Sequence, residues 1–191
     1  MVVVAAYLRH QRVFIYPYLD DWLIKARMPD LARSHLHLCI DVVNILGLRI
    51  NYKKSTLTPV QHIHYLEAIL DTKFEKVYPL EERLLSIQLK CQSLARTHRP
   101  TVRVISSLLG LMALCIFLVP HARLHMRPLQ QCLEDQWNQF TDSWEKKLLL
   151  SLSAIQSLSW WTRRDNLMKG TSFHQALPVQ VLVMDASLQG W

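Results

Sequence analysis

Hydrophobic positions along this chain first alternate at strand spacing and then settle into helical spacing. Residues 12–25 read RVFIYPYLDDWLIK, two short apolar and aromatic runs on either side of Leu19-Asp20-Asp21. Short runs rich in Ile, Tyr and Phe around a polar turn predict a β-hairpin with its carboxylates at the tip. Pro17 has no backbone N–H, so its nitrogen is expected at a sheet edge or a bulge. Pro29-Asp30 then opens a helix in which Leu31, Leu38, Val42, Ile45 and Leu46 recur at helical spacing, with Gly47 as the stop. Leu48 to Asn51 reads as a short strand, and His62–Leu70 with Lys73–Tyr78 as a second hairpin around Asp71-Thr72.

From Pro79 the period becomes helical. Leu80, Leu84, Ile87, Cys91 and Leu94 fall at i, i+4, i+7, i+11 and i+14, one apolar stripe. Arg99-Pro100-Thr101 breaks it, and Thr101 is placed to cap the uncharged run VISSLLGLMALCIFLV from Val104 to Val119, which Pro120 ends. Pro128 should start or kink the next helix, up to about Gln139. Asp142 is placed to cap a further helix from Ser143 to about Thr162, Lys169-Gly170-Thr171 reads as a turn, and Val179 to Met184 alternates into a strand ending at Asp185.

Composition narrows the function classes. Half of the 191 residues are hydrophobic, which supports a packed core and argues against wholesale disorder. Lys plus Arg number 22 and Asp plus Glu 15, a net charge of +7 that favours a polyanionic partner. With only four glycines there is no Gly-rich phosphate loop. The four cysteines, Cys39, Cys91, Cys115 and Cys132, form no CxxC knuckle and no secreted disulfide framework, so they are expected reduced in a cytoplasmic or nuclear protein. The apolar start Met1–Tyr7 lacks a basic leader and is too short for a signal peptide. The 16 uncharged residues from Val104 to Val119 fall short of the roughly 20 that span a bilayer, so a buried helix is favoured over a membrane one.

Two adjacent carboxylates at a hairpin tip repel one another, and a divalent cation reverses that cost. Magnesium takes a few carboxylates together with phosphate oxygens, the arrangement of two-metal phosphoryl transfer. As a bare dipeptide, Asp20-Asp21 would be a solvated turn; the two flanking strands give it a second reading. Tyr18-Leu19-Asp20-Asp21 resembles the YxDD signature of reverse transcriptases. Downstream, the helix ending at Leu46-Gly47-Leu48 and the segment Ile50-Asn51-Tyr52-Lys53-Lys54-Ser55 look like the next palm motif. His64-Tyr65-Leu66-Glu67 stands where the family has an aromatic, a leucine and a glycine. Pro79, Arg83, Ile87, then SLLGLM at 107–112, VPHARLHMRPLQ at 119–130 and Trp137 resemble the thumb and connection of DIRS-like retrotransposons, relatives of gypsy-type elements. VMDASLQGW at 183–191 resembles the first strand of RNase H.

The resemblance implies an α+β fold. A partial reverse-transcriptase palm of hairpins and a helix would occupy 1–78, thumb-like helices 79–126, a connection 127–178 and the start of an RNase H-like domain 179–191. It implies an RNA-directed DNA polymerase working on an RNA/DNA template-primer. Asp20 and Asp21 would hold Mg2+, Lys54 (with Lys53 the second choice) would assist at the phosphates, and Asp185 would be an RNase H metal ligand. Tyr65, Leu66 and Glu67 would form the primer grip, where Glu67 departs from the glycine pattern and sets a negative charge against the primer. Arg123 and Arg127, with Arg163, Arg164 and Lys169, would follow the nucleic-acid backbone.

Polymerisation also needs an earlier palm aspartate, and no carboxylate occurs in the first 19 positions. The chain alone is therefore expected neither to polymerise nor to cleave, and a non-enzymatic nucleic-acid-binding remnant is the alternative. Other patterns read as ordinary structure. His35 and His37, or His62 and His64, lack a third ligand; His121 and His125 have zinc-like spacing without the intervening glutamate; Trp160-Trp161 could stack on bases but fits a core better.

Overall fold

The computed structural model describes residues 2–97 and 99–174. The strand expected over 179–184, and Asp185 after it, lie outside the described residues. Among those described, the fold is α+β, a hairpin and a small antiparallel sheet followed by a helical core.

The chain opens with a helix the hydrophobic pattern did not predict, α1 (Val2–His10). It buries Ala5 and Leu8 against Val13 and Ile15 of the following hairpin and Cys39 of the next helix. The hairpin is β1 (Phe14–Tyr18) and β2 (Asp21–Lys25), joined at Leu19-Asp20 with Tyr18 opposite Asp21. β1 has β2 as its one strand neighbour among the described residues, so Pro17 sits on an edge strand as its missing donor requires. At the same edge the Arg9 guanidinium donates to the Ile15 carbonyl at 3.0 and 3.2 Å, giving that acceptor a side-chain partner.

Helix α2 (Pro29–Ile45) starts with Pro at its first position, where no intrahelical donor is lost. Its end is a Schellman cap: Gly47, at φ +70°, donates to the Asn44 carbonyl and Leu48 donates to the Val43 carbonyl, both at 3.0 Å. That cap consumes Leu48, and the expected strand over 48–51 does not form.

The second sheet runs β3 (His62–Tyr65), β4 (Ala68–Asp71), β5 (Lys76–Pro79), β6 (Thr171–Ser172), each antiparallel to the next. The long strand expected from His62 to Leu70 is instead two strands folded at Leu66-Glu67, both at positive φ. The turn foreseen at Asp71-Thr72 is present. Asp71 accepts the backbone N–H groups of Lys73 and Phe74 and faces His62 at 3.2 Å. The Phe74 backbone bond and then the His62 bond hold its carboxyl below the ordinary carboxylate range. β6 was expected only as a turn; it extends the sheet after Gly170 turns the chain.

The helical core is α3 (Glu81–Arg96), α4 (Val102–Ala113), α5 (Ala122–Gln136), α6 (Leu152–Thr162) and the single turn α7 (Arg164–Leu167). The stripe predicted for α3 is the buried one, with Leu84, Ile87, Cys91 and Leu94 all inside. Helix α4 ends at Ala113, before Pro120, and successive turns carry the chain to Pro120 while burying Cys115 and Val119. Among the described residues no helix is long and apolar enough to cross a membrane.

Two capping expectations fail for one reason. The Thr101 side chain makes no cap bond. Instead Val102 donates to the Lys146 carbonyl and Arg103 to the Trp144 carbonyl, each at 3.0 Å. The segment 143–151 is thereby held irregular against the start of α4, satisfying that helix's orphan donors through tertiary contact. Helix α6 accordingly starts late, capped by Ser151, whose hydroxyl accepts from Ala154 N. Asp142 caps no helix; its carboxylate accepts from Asn138 N and Lys146 Nζ.

Pro128 lies within α5. One turn earlier, the His125 carbonyl accepts the Ser157 hydroxyl and, at 3.1 Å, the Trp161 indole, both from α6. Trp161 is fully buried, and Trp160 stacks on the His125 ring at 3.9 Å. The tryptophan pair is core, as its apolar setting favoured.

Candidate nucleic-acid groove

The two-residue turn of the first hairpin sets Leu19 at φ +48°, and the Trp22 indole donates back to the Leu19 carbonyl at 3.3 Å. This fixes the tip on which Asp20 sits as the second turn residue and Asp21 as the first residue of β2. Both are exposed, and neither carboxylate has a hydrogen-bond or ion-pair partner among the described residues. Their strand scaffold is packed through Ile15, Trp22 and Ile24, which join residues of α1 and α2 in one apolar cluster.

Opposite lies the β3–β4 turn. The Tyr65 hydroxyl donates to the Tyr16 carbonyl at 2.7 Å, joining the two hairpins. Burial first, then the charge of Asp21, raises the Tyr65 phenol above its ordinary value, so it remains a donor at neutral pH. Between the hairpins is a groove of about 480 Å³. Tyr18 and Asp21 form one wall, His64, Tyr65, Leu66 and Glu67 the other, and Leu80 closes it. The geometry thus brings Asp21 together with all three residues expected to form a grip.

Leu66 at φ +47° and Glu67 at φ +63° are the two central residues of a tight hairpin turn, positions that favour Asn and Gly. An L side chain in this region costs roughly 1–2 kcal/mol relative to its usual conformation. The Glu67 carboxylate accepts from Arg83 Nη2 at 2.6 Å, near the start of α3. Sequence reasoning singled out Glu67 but missed Arg83 as its partner. An acid and a base 16 positions apart, one on a hairpin and one on a helix, form no local pattern.

Lys54 is elsewhere: it is exposed on a turn in which Asn51 accepts from Lys54 N and from the Ser55 hydroxyl. Arg123 and Arg127 are both exposed on α5. Arg127 pairs with Glu134 at 3.0 Å and Arg164 with Glu81 at 2.6 Å, whereas Arg123, Arg163 and Lys169 make no ion pair among the described residues. No cluster of three or more His, Cys, Asp or Glu able to hold a metal occurs among the described residues. Burial lowers the His125 pKa, and the neighbouring His121 adds to this, so His125 is a neutral stacking partner of Trp160. Burial pushes the thiols of Cys39 and Cys115 to about 11 and that of Cys91 to about 12, so these are inert core groups.

No family model matches the chain. In sequence it is similar to Protein P of duck hepatitis B virus, 33% identical over 69 residues in isolate Shanghai/DHBVQCA34 and in strain China, and 32% in isolate brown Shanghai duck S5. These stretches cover 36% of this chain and 9% of the viral protein. In structure it is similar to a foamy viral protease-reverse transcriptase dRH solved in complex with double-stranded DNA. The TM-score is 0.67 and the identity 16%, over 88% of this chain and 27% of the viral one. The fold is therefore that of a stretch of a reverse transcriptase, and the chain spans only a small part of each protein it matches.

Proposed function

We propose that this chain is the palm, thumb and connection portion of an RNA-directed DNA polymerase from a DIRS-like retrotransposon, acting on an RNA/DNA template-primer. The observation that carries the reading is the uncommitted carboxylate of Asp21, which lines an open groove together with Tyr65, Leu66 and Glu67, with the equally uncommitted Asp20 beside it on the hairpin turn. Within it, residues 1–78 act as palm, 79–126 as thumb, 127–178 as connection and 179–191 as the start of an RNase H-like domain.

The donor chemistry suits a hard divalent cation, since both carboxylates offer only oxygen and neither is tied to a protein partner. The set is short of the acids that two-metal transfer uses, as no third acid joins them among the described residues. When bound, Mg2+ supplies charge neutralisation for phosphate oxygens at the growing primer end. Asp20 and Asp21 would hold it, Asp185 would belong to a separate RNase H site, and Lys54 would neutralise phosphate charge. The Tyr65 bond to Tyr16 holds the grip hairpin at a fixed distance from the carboxylates. The non-enzymatic reading, a nucleic-acid-binding remnant, is favoured by the incomplete acid set among the described residues.

The test is a Mg2+ titration of primer-template binding by the purified chain and by the Asp20→Asn/Asp21→Asn variant. The native chain should bind more tightly as Mg2+ is added. The variant should bind more tightly without Mg2+, having lost two negative charges, and should not respond to the ion. Identical Mg2+ responses would sink the assignment of these carboxylates. Primer extension should be absent from both.

A further inference from the structure

The groove between the hairpins has the wrong sign for a nucleic acid. Its lining includes Asp21 and Glu67 and no lysine or arginine. A phosphate backbone entering it would meet only repulsion from charged groups. The cation that could change this is the ion-pair partner of Glu67, itself outside the groove lining. Arg83 Nη2 lies 2.6 Å from Glu67 Oε2, and the two side chains differ sharply in freedom. That of Arg83 is 16% exposed, held on α3 beside the buried Leu84 and Ile87, whereas that of Glu67 is 67% exposed at a turn tip. The arginine is the more enclosed of the two and the glutamate the more open to solvent.

Carboxylate and phosphate present similar paired oxygens to a guanidinium, and arginine binds both through the same fork of N–H donors. A guanidinium that already holds a carboxylate oxygen at short range is thus a formed oxyanion site. We infer that Arg83 is a phosphate-binding residue of this groove and that Glu67 is its intramolecular competitor, displaced by a backbone phosphate when a primer-template enters. With Glu67 turned into solvent, Arg83 faces the groove and the wall gains a positive charge. This rests on the reading of the groove as a template-primer site. The competing role for the pair is a clasp that merely pins the β3–β4 turn to α3.

The experiment measures equilibrium binding of a fluorescent RNA–DNA primer-template to the full 191-residue chain across a salt series, for the native protein and the Glu67→Gln, Arg83→Gln and doubly substituted variants. Circular dichroism melts check that each is folded. Glu67→Gln should tighten binding several-fold. Arg83→Gln should weaken it and flatten the slope of log K against log salt by about 0.9, the loss of one phosphate contact. The gain from Glu67→Gln should largely vanish when Arg83 is also replaced. If Glu67→Gln gives the same gain with and without Arg83, and slopes are unchanged, the glutamate acts by general repulsion and the inference is overturned. A clasp would show as equal destabilisation by both single substitutions with parallel loss of binding, which also overturns it. In both cases native binding persists and the template-primer reading stands. If the folded native chain does not bind at all, that reading falls and takes this inference with it.

Discussion

Replacing Trp161 with alanine is expected to destabilise the helical half of the protein by about 3–5 kcal/mol. Trp161 is the largest fully buried side chain of the core that α3, α4, α5 and α6 share. Its truncation removes packing, leaves a cavity the surrounding helices can only partly fill, and withdraws one of the two α6 donors from the His125 carbonyl. The edge contact with Trp160 at 5.4 Å is lost as well, loosening the ring that stacks on His125. Domains of this size have only about 5–15 kcal/mol in hand, so the loss is a large share of the total. Urea unfolding followed by circular dichroism measures it. Trp161→Phe, which retains an aromatic ring, should lose much less. A cost under about 1 kcal/mol for the alanine variant would mean that α5 and α6 are not joined as described.

Gly170→Ala should cost about 2–5 kcal/mol, the sum of a left-handed backbone position and overpacking. Gly170 is buried at φ +65°, and an added Cβ would lie 2.5 Å from Tyr78 Cε1 and 2.7 Å from Cδ1. The Tyr78 ring lies on β5, so relief requires moving either the ring or the chain. Around this point the sequence is tied back to the sheet: Lys76 Nζ donates to the Lys169 carbonyl at 2.9 Å and Phe173 N donates to the Glu75 carbonyl at 2.9 Å. The two contributions separate in a double-substitution cycle with Tyr78→Ala. There Gly170→Ala should cost only the backbone share, about 1–2 kcal/mol. An unchanged cost in both backgrounds would mean that the ring is not the obstacle.

Elements whose determinants lie close together in sequence were legible from it. The Asp20-Asp21 hairpin, the Schellman end of α2 at Gly47 and the buried stripe Leu84–Leu94 all depend on residues within a turn or two of one another. Helix α1 was missed because Ala5 and Leu8 are its only buried residues, too few to give a period. The irregular stretch 143–151 was missed because the Trp144 and Lys146 carbonyls serve Arg103 N and Val102 N, donors far back in the chain at the start of α4, a contact no local pattern records. The break between β3 and β4 was missed because Leu66-Glu67 carries neither the asparagine nor the glycine that marks such turns. The candidate groove was half legible. Both of its walls were named from the sequence as separate motifs. The Tyr65–Tyr16 bond across 49 positions that joins them, and the Arg83 paired with Glu67, exist only in three dimensions.

We propose above that these residues form a nucleic-acid-gripping piece of a reverse-transcriptase fold. The measurement that bears on it most directly is the affinity of the purified chain for a fluorescent RNA–DNA primer-template from low to moderate salt. A charge-matched flexible polyanion serves as the control. With Arg123, Arg163 and Lys169 outside ion pairs among the described residues, the expected slope of log K against log salt is roughly −3 or steeper, with tighter binding to the duplex than to the control. A folded, monodisperse chain that binds neither, or binds both alike, would contradict it.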